Sequence, residues 1–143
     1  MITVWLARPE GETAKASIGL AEELKKNHAK YSVIHVVEPG AGLPTPEGRD
    51  ELVAGARRNV GTVVCVGVLL PEGSVLSSML RVFIRGIRTL LRGEMTTVIE
   101  LDVDALARQV VEHHARGSGV RLVPRELAAA INEARRRAIA VAA

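Results

Sequence analysis

Four arginines form the most regular group of chemically active side chains in this sequence. They follow the helical spacing i, i+4, i+7 and i+11, at Arg81, Arg85, Arg88 and Arg92. Residues with this spacing lie along one narrow stripe of an α-helix. Because each neighbouring like-charge pair costs roughly 0.2–0.5 kcal/mol in an isolated helix, negative groups facing the stripe would stabilise it. The four arginines are therefore the candidate site for a small anion or for a partner protein.

An ordinary amphipathic helix would present the same stripe to water. Apolar residues alternate with the arginines and are expected to turn inward, at Met79, Leu80, Phe83, Ile84, Ile87, Leu90 and Leu91. Three interpretations stay open: a solvated face, pairing with acids of the same chain, and a functional binding surface. A pocket beside the stripe would favour binding of a small anion or a lipid headgroup, whereas a flat, ion-paired stripe would count against it.

The four histidines show no spacing typical of metal ligands, and no metal or cofactor is expected. They are His28, His35, His113 and His114. His35 falls in a predicted buried strand, where a hydrogen-bonded core histidine is more common than a general base. No serine or cysteine is visibly placed to form a triad with His35. We therefore expect no catalysis; an enzyme would need His35 or an acid in a cleft with a shifted pKa.

Three further motifs have structural explanations. Cys65 is the only cysteine and lies in an apolar run, so we expect a small buried hydrophobe. The turn at 40–42 lacks the third glycine of a dinucleotide fingerprint and is followed by two prolines. Three arginines at 135–137 have no aromatic stacking platform beside them, which favours a solvated helix end over nucleic-acid binding.

The composition indicates one folded domain with an aliphatic core. The chain has 143 residues, of which 48% are hydrophobic, 24% charged and only 2% aromatic, with a formal net charge of +3. These proportions are ordinary for a globular protein, and the small charge gives no independent case for nucleic acid. No apolar run approaches the roughly 18 residues of a membrane span, and the first residues lack signal-peptide features. We expect a cytoplasmic protein.

Apolar runs alternate with segments of helical period, which predicts a mainly parallel sheet flanked by helices. The four predicted strands are 2–7, 31–37, 62–70 and 96–101. Predicted helices follow at 13–27, at 46–59 with Thr45 as N-cap, after Ser74 to about residue 92, and after Asp102 to about residue 115. The fold class is thus α/β, with a single four-stranded sheet.

A further helix is predicted to begin at Pro124, after a short flexible link at 117–119. Its apolar residues repeat at helical spacing, at Leu127, Ile131, Ala134, Ala138 and Val141. This stripe is expected to dock either on the domain formed by residues 1–116 or on a second protomer. A homodimer is therefore one expected assembly.

The order of these elements resembles a STAS-like domain, and most closely the bacterial SpoIIAA-like proteins related to anti-sigma-factor antagonists. The similar segments are LPTPEGR at 43–49, VVCVGV at 63–68 and LRVFIRG at 80–86, within a resemblance that covers about residues 2–115. It implies a non-catalytic regulatory or scaffolding module that acts through protein contacts. The antagonists carry a phosphorylatable serine at the start of the helix after this second strand, and Thr45 is the hydroxyl at that place here. STAS-like folds also resemble lipid-carrier domains, which implies lipid-headgroup binding as the alternative.

Overall fold

The chain folds around one four-stranded sheet in which every strand is parallel to its neighbour. A computed structural model describes residues 1–73, 75–90 and 95–143. The strands lie in the order β1-β2-β3-β4, with β1 at Ile2–Trp5, β2 at Tyr31–Val37, β3 at Val63–Leu69 and β4 at Thr96–Glu100. The helices are α1 at Gly11–Asn27, α2 at Pro46–Asn59, α3 at Val75–Leu90, α4 at Val103–Ser118 and α5 at Pro124–Ala142. The predicted α/β fold class is confirmed.

The alternation of side chains along each strand divides the sheet into two faces. On β2, His35 shares one face with Val33 and Val37, which we call the front face, whereas Ile34 and Val36 lie on the back face. Thr3 of β1 pairs with His35 and contacts Ser17 of α1, which places α1 on the front. The helices that connect consecutive parallel strands lie together on this face, as crossovers of one hand require.

The back face carries α4 and α5 and the most completely buried core. Its buried residues include Leu106 and Val110 of α4 together with Ile131 of α5. Gly67 of β3 faces α4 so closely that a Cβ at this position would lie 2.8 Å from Cγ2 of Val110. The continuous apolar character of β3 therefore has a direct cause, because both faces of this strand are covered.

The front face is covered by α1, α2 and α3, and α2 begins as predicted. Thr45 is its N-cap, and the Thr45 side chain accepts a hydrogen bond of 3.0 Å from the Gly48 backbone N–H. In α3, Leu80 is buried against Val68 of the sheet, whereas Val82 is 69% exposed. The predicted cap at position 74 and the stop at position 93 lie outside the described residues.

The C-terminal part differs from the prediction at one boundary. The expected link at 117–119 begins too early, because α4 continues through Ser118 and ends only at Gly119, which has a left-handed φ of 76°. Gly117 is helical, and a Cβ there would lie 2.7 Å from Cβ of Val64. This glycine thus permits close packing of α4 on β3 and is not part of a link.

Helix α5 docks on its own chain through its first half. Ala128 and Ile131 are buried, and Ile131 is 0% exposed within the back-face core. Arg135 makes two hydrogen bonds to the Glu38 carboxylate that follows β2, at 2.5 and 3.0 Å. Toward the end of α5, Val141 is 88% exposed. Within the described ranges, no helix is both long and apolar enough to cross a membrane.

Candidate functional site

A cavity of about 150 Å³ lies on the front face between the sheet, α2 and α3. Apolar side chains of α3 form one wall, at Leu80, Phe83, Ile84 and Ile87. The sheet forms the opposite wall, with Trp5, Val37, Val66 and Val68. Apolar cavities of about 150 Å³ can hold a molecule the size of benzene. The arrangement is typical of a small-molecule site, which is mostly apolar and has few polar groups.

Among the described residues, three polar side chains besides the Trp5 indole line this apolar cavity. They are His35 of β2, Thr97 of β4 and Arg88 of α3. His35 and Thr97 are half-buried, whereas Arg88 is exposed. Arg88 therefore lies where the cavity meets solvent, and the other two polar groups lie on the sheet beneath it.

His35 is held by a hydrogen bond from the only tryptophan. The Trp5 indole Nε1–H donates to His35 Nδ1 at 3.1 Å. An indole N–H can only donate, so Nδ1 must be the acceptor and the proton of the neutral imidazole lies on Nε2. Within the described part of the chain, Nε2 has no hydrogen-bond partner. The core histidine expected from the sequence is thus satisfied at one ring nitrogen and available at the other.

Burial and, as the smaller cause, the positive charge of the Met1 amino group together lower the pKa of His35 to about 4. The ring is therefore neutral at pH 7. Neutral His35 has its single ring lone pair directed at Trp5, which leaves the Nε2–H donor for any cavity occupant. A half-buried histidine with a shifted pKa is present in a cavity, but its geometry is that of a hydrogen-bond donor.

This low pKa predicts a loss of stability in acid. The unfolded chain takes up a proton on His35 near pH 6.5, whereas the folded protein takes it up only near pH 4. Stability should therefore fall as pH decreases from about 6.5 to about 4, by on the order of 3 kcal/mol from this group. Urea unfolding at several pH values would measure it.

The His35→Phe variant should lose this contribution, and the exposed His28→Phe variant should keep it. His114 also has a lowered pKa because it is buried, so some acid sensitivity should persist in the His35 variant. Identical pH profiles for the wild type and the His35 variant would contradict the assignment.

Of the three candidate arginines that the structure describes, only Arg88 lines the cavity. Arg81, Arg85 and Arg88 lie on α3, and Arg92 lies outside the described residues. Among the carboxylates of the described chain, none forms an ion pair with Arg81, Arg85 or Arg88. Pairing with the described acids therefore does not explain these three charges, and a pocket does adjoin the stripe, at Arg88.

The other residues singled out from the sequence have structural roles in the fold. The Thr45 hydroxyl is used as the cap of α2. Cys65 is 0% exposed, as expected, and burial raises the pKa of its thiol to about 11. The arginines at 135–137 pair with Glu38 and Glu133. Within the described ranges, no group of three potential metal ligands is found.

The sequence did not indicate Trp5 and Thr97 as site residues. Both lie on strands, and only the sheet register brings them to the same face as His35, 30 and 62 positions away. Trp5 is two residues beyond Thr3, the partner of His35, so the two rings lie on the same face of neighbouring strands. The one available signal was the presence of a lone tryptophan and a histidine in adjacent apolar strands.

Comparisons with known proteins do not identify this site. No protein-family model, curated protein or solved structure matches the chain. The resemblance to STAS-like domains therefore stays a prediction from the sequence. The features of the molecule that indicate a function are the apolar cavity, its neutral histidine and the arginine at its edge.

Proposed function

We propose that this protein binds a small amphiphilic acid, with the apolar part of the ligand in the front-face cavity and the acid beside Arg88. The observation that carries this proposal is the position of Arg88, an exposed cation without an acidic partner in the described chain, at the edge of an apolar cavity. The proposal corresponds to the alternative that the sequence left open, the binding of a small anion or a lipid headgroup.

The apolar part of the ligand should provide most of the affinity. Each methylene transferred from water contributes about 0.8 kcal/mol, so a short alkyl chain can offset the cost of association. An exposed ion pair contributes only about 0.2–1 kcal/mol. Arg88 should therefore distinguish acids from neutral molecules, while the cavity determines whether binding occurs.

Octanoate and 1-octanol are a matched pair of probes for this division of roles. The Arg88→Gln variant should bind octanoate about 1.5- to fivefold more weakly than the wild type and should bind 1-octanol equally well. Arg85→Gln removes a neighbouring charge that does not line the cavity, and it should bind both probes like the wild type. Isothermal titration calorimetry measures each dissociation constant.

Two outcomes would contradict the proposal. If the folded wild type binds neither probe, the cavity is not a site for aliphatic ligands. If the Arg85 and Arg88 variants lower the octanoate affinity equally, the arginines act together as a diffuse positive charge. Arg88 would then make no specific contact with the acid.

A regulatory role through protein contacts is the second candidate function, favoured by a different part of α3. Val75, Met79 and Val82 repeat at helical spacing and are exposed by 78%, 49% and 69%. One member of this row, Val82, lines a groove between α2 and α3. A non-catalytic module of the kind implied by the STAS-like resemblance would use such a surface. Its partner, a homodimer and a cytoplasmic location stay predictions from the sequence.

The second candidate predicts a binding defect that is separate from ligand affinity. Exposed apolar rows are common at protein interfaces, and replacing Val75 and Val82 by serine should remove that contact without entering the cavity. Octanoate binding should therefore be unchanged in this double variant. Affinity purification with the wild type and with the double variant would identify the proteins that are captured only when the apolar row is intact.

A further inference from the structure

We infer that His35 determines ligand specificity in the front-face cavity, because its Nε2–H selects acids that also carry a hydrogen-bond acceptor oxygen on their apolar part. This inference rests on the proposed function and narrows it to one ligand class. The class is a medium-chain aliphatic acid with a carbonyl or hydroxyl group along the chain, in place of a simple fatty acid.

The orientation of the donor is set by two strands of the sheet. Trp5 and His35 lie on the same face of β1 and β2, with ring centroids 6.0 Å apart, and the indole N–H occupies Nδ1 of His35. The proton therefore lies on Nε2, because moving it to Nδ1 would break the hydrogen bond from Trp5. Trp5 acts as a positioning residue.

The surroundings of His35 leave this donor to a ligand. The half-buried ring lines the mainly apolar cavity, and no described residue accepts a hydrogen bond from Nε2. A donor in a mainly apolar, half-buried site is less well hydrated than one on the open surface, so a ligand oxygen placed beside it gains more than it would at a fully exposed donor. Thr97 lines the same cavity, and its hydroxyl also makes no hydrogen bond within the described chain.

The same geometry argues against a role for His35 as a proton acceptor. Abstraction of a proton needs a free ring lone pair, and the lone pair on Nδ1 is directed at the Trp5 N–H. The pKa of about 4 also makes the ring a weak base at neutral pH. Hydrogen bonding to a ligand oxygen needs only the Nε2–H that His35 already carries, without any change of tautomer.

A series of oxooctanoates, with the carbonyl at carbon 4, 5, 6 or 7, tests this specificity against octanoate. For each acid, the ratio of the dissociation constant of octanoate to that of the oxo acid cancels the shared contributions of Arg88 and the chain. For at least one isomer, we expect this ratio to be about tenfold larger in the wild type than in His35→Phe. His28→Phe, an exposed control, should give wild-type ratios.

The outcomes separate this inference from the proposed function. If octanoate binds and no isomer shows a ratio that depends on His35, the inference is overturned and the proposed function stands. If neither octanoate nor any oxo acid binds to the folded wild type, the proposed function itself fails.

Nuclear magnetic resonance of the wild type provides a second test that does not depend on the folding of a variant. Long-range ¹H–¹⁵N spectra at pH 7 should show His35 protonated at Nε2, and the Trp5→Phe variant should show a mixture of tautomers. The Nε2 resonance should move on addition of the preferred oxo acid more than on addition of octanoate. A ring protonated at Nδ1 in the wild type would overturn the inference.

Discussion

Replacing Ala56 by phenylalanine should abolish octanoate binding, by more than about a hundredfold, while the protein stays folded. Ala56 lies on α2 and lines the front-face cavity. It also lines a smaller cavity of about 70 Å³ that shares His35 and Val66 with the first. An aromatic ring at position 56 would occupy the space that the alkyl chain of octanoate needs. The loss should be large because the apolar contact supplies most of the expected affinity.

The stability of this variant should be equal to or higher than that of the wild type. Filling an apolar cavity buries additional surface and commonly stabilises a protein by about 0.5–2 kcal/mol. Excess volume would have the opposite effect, because forced side-chain positions cost about 1–3 kcal/mol. Urea unfolding of the purified variant therefore has to accompany the binding titration.

Ala54 provides the matched control on the same helix. It lines the groove between α2 and α3 instead of the cavity. The Ala54→Phe substitution adds the same ring two residues away, and its octanoate affinity should equal that of the wild type. Full-affinity binding by a folded Ala56→Phe variant would show that the acid binds outside the cavity. Loss of binding in the Ala54 variant alone would place the ligand in the groove.

The architecture could be predicted from the sequence wherever local signals determine it. The limits of β2 at 31–37 match the prediction, and α2 begins at Pro46 after the Thr45 cap as expected. Both rely on patterns within a few residues, namely a bounded apolar run and the residue preferences of a helix N-terminus. The end of α4 was misplaced because Gly117 is needed for contact with Val64, which is distant in the sequence.

The candidate site was only partly accessible to the same reasoning. The arginine stripe of α3 was visible in the spacing, and a neighbouring pocket was the stated criterion for a ligand-binding role. The spacing could not show that Arg88 lines the cavity and that Arg85 does not, because this depends on how α3 sits over the sheet. The hydrogen bond between Trp5 and His35 likewise depends on strand register, which a local pattern does not encode.

The second large effect is expected in α5. Replacing Ile131 by alanine should lower the free energy of unfolding by about 2–5 kcal/mol, because the side chain is 0% exposed and its removal leaves a cavity in the back-face core. The contact joins α5 to the same cluster as Leu106 and Val110 of α4, so the loss affects the main core. Urea unfolding followed by circular dichroism measures the change.

Ile139 is the matched control, because it is an isoleucine of the same helix that is 50% exposed. The Ile139→Ala substitution should change stability by less than about 0.5 kcal/mol if the end of α5 faces solvent. The alternative that α5 also docks on a second protomer makes a different prediction. In a homodimer that buries Ile139, this variant would be strongly destabilised, and the unfolding midpoint of the wild type would rise with protein concentration. A midpoint independent of concentration, with a large effect at Ile131 alone, would show that α5 stabilises its own chain.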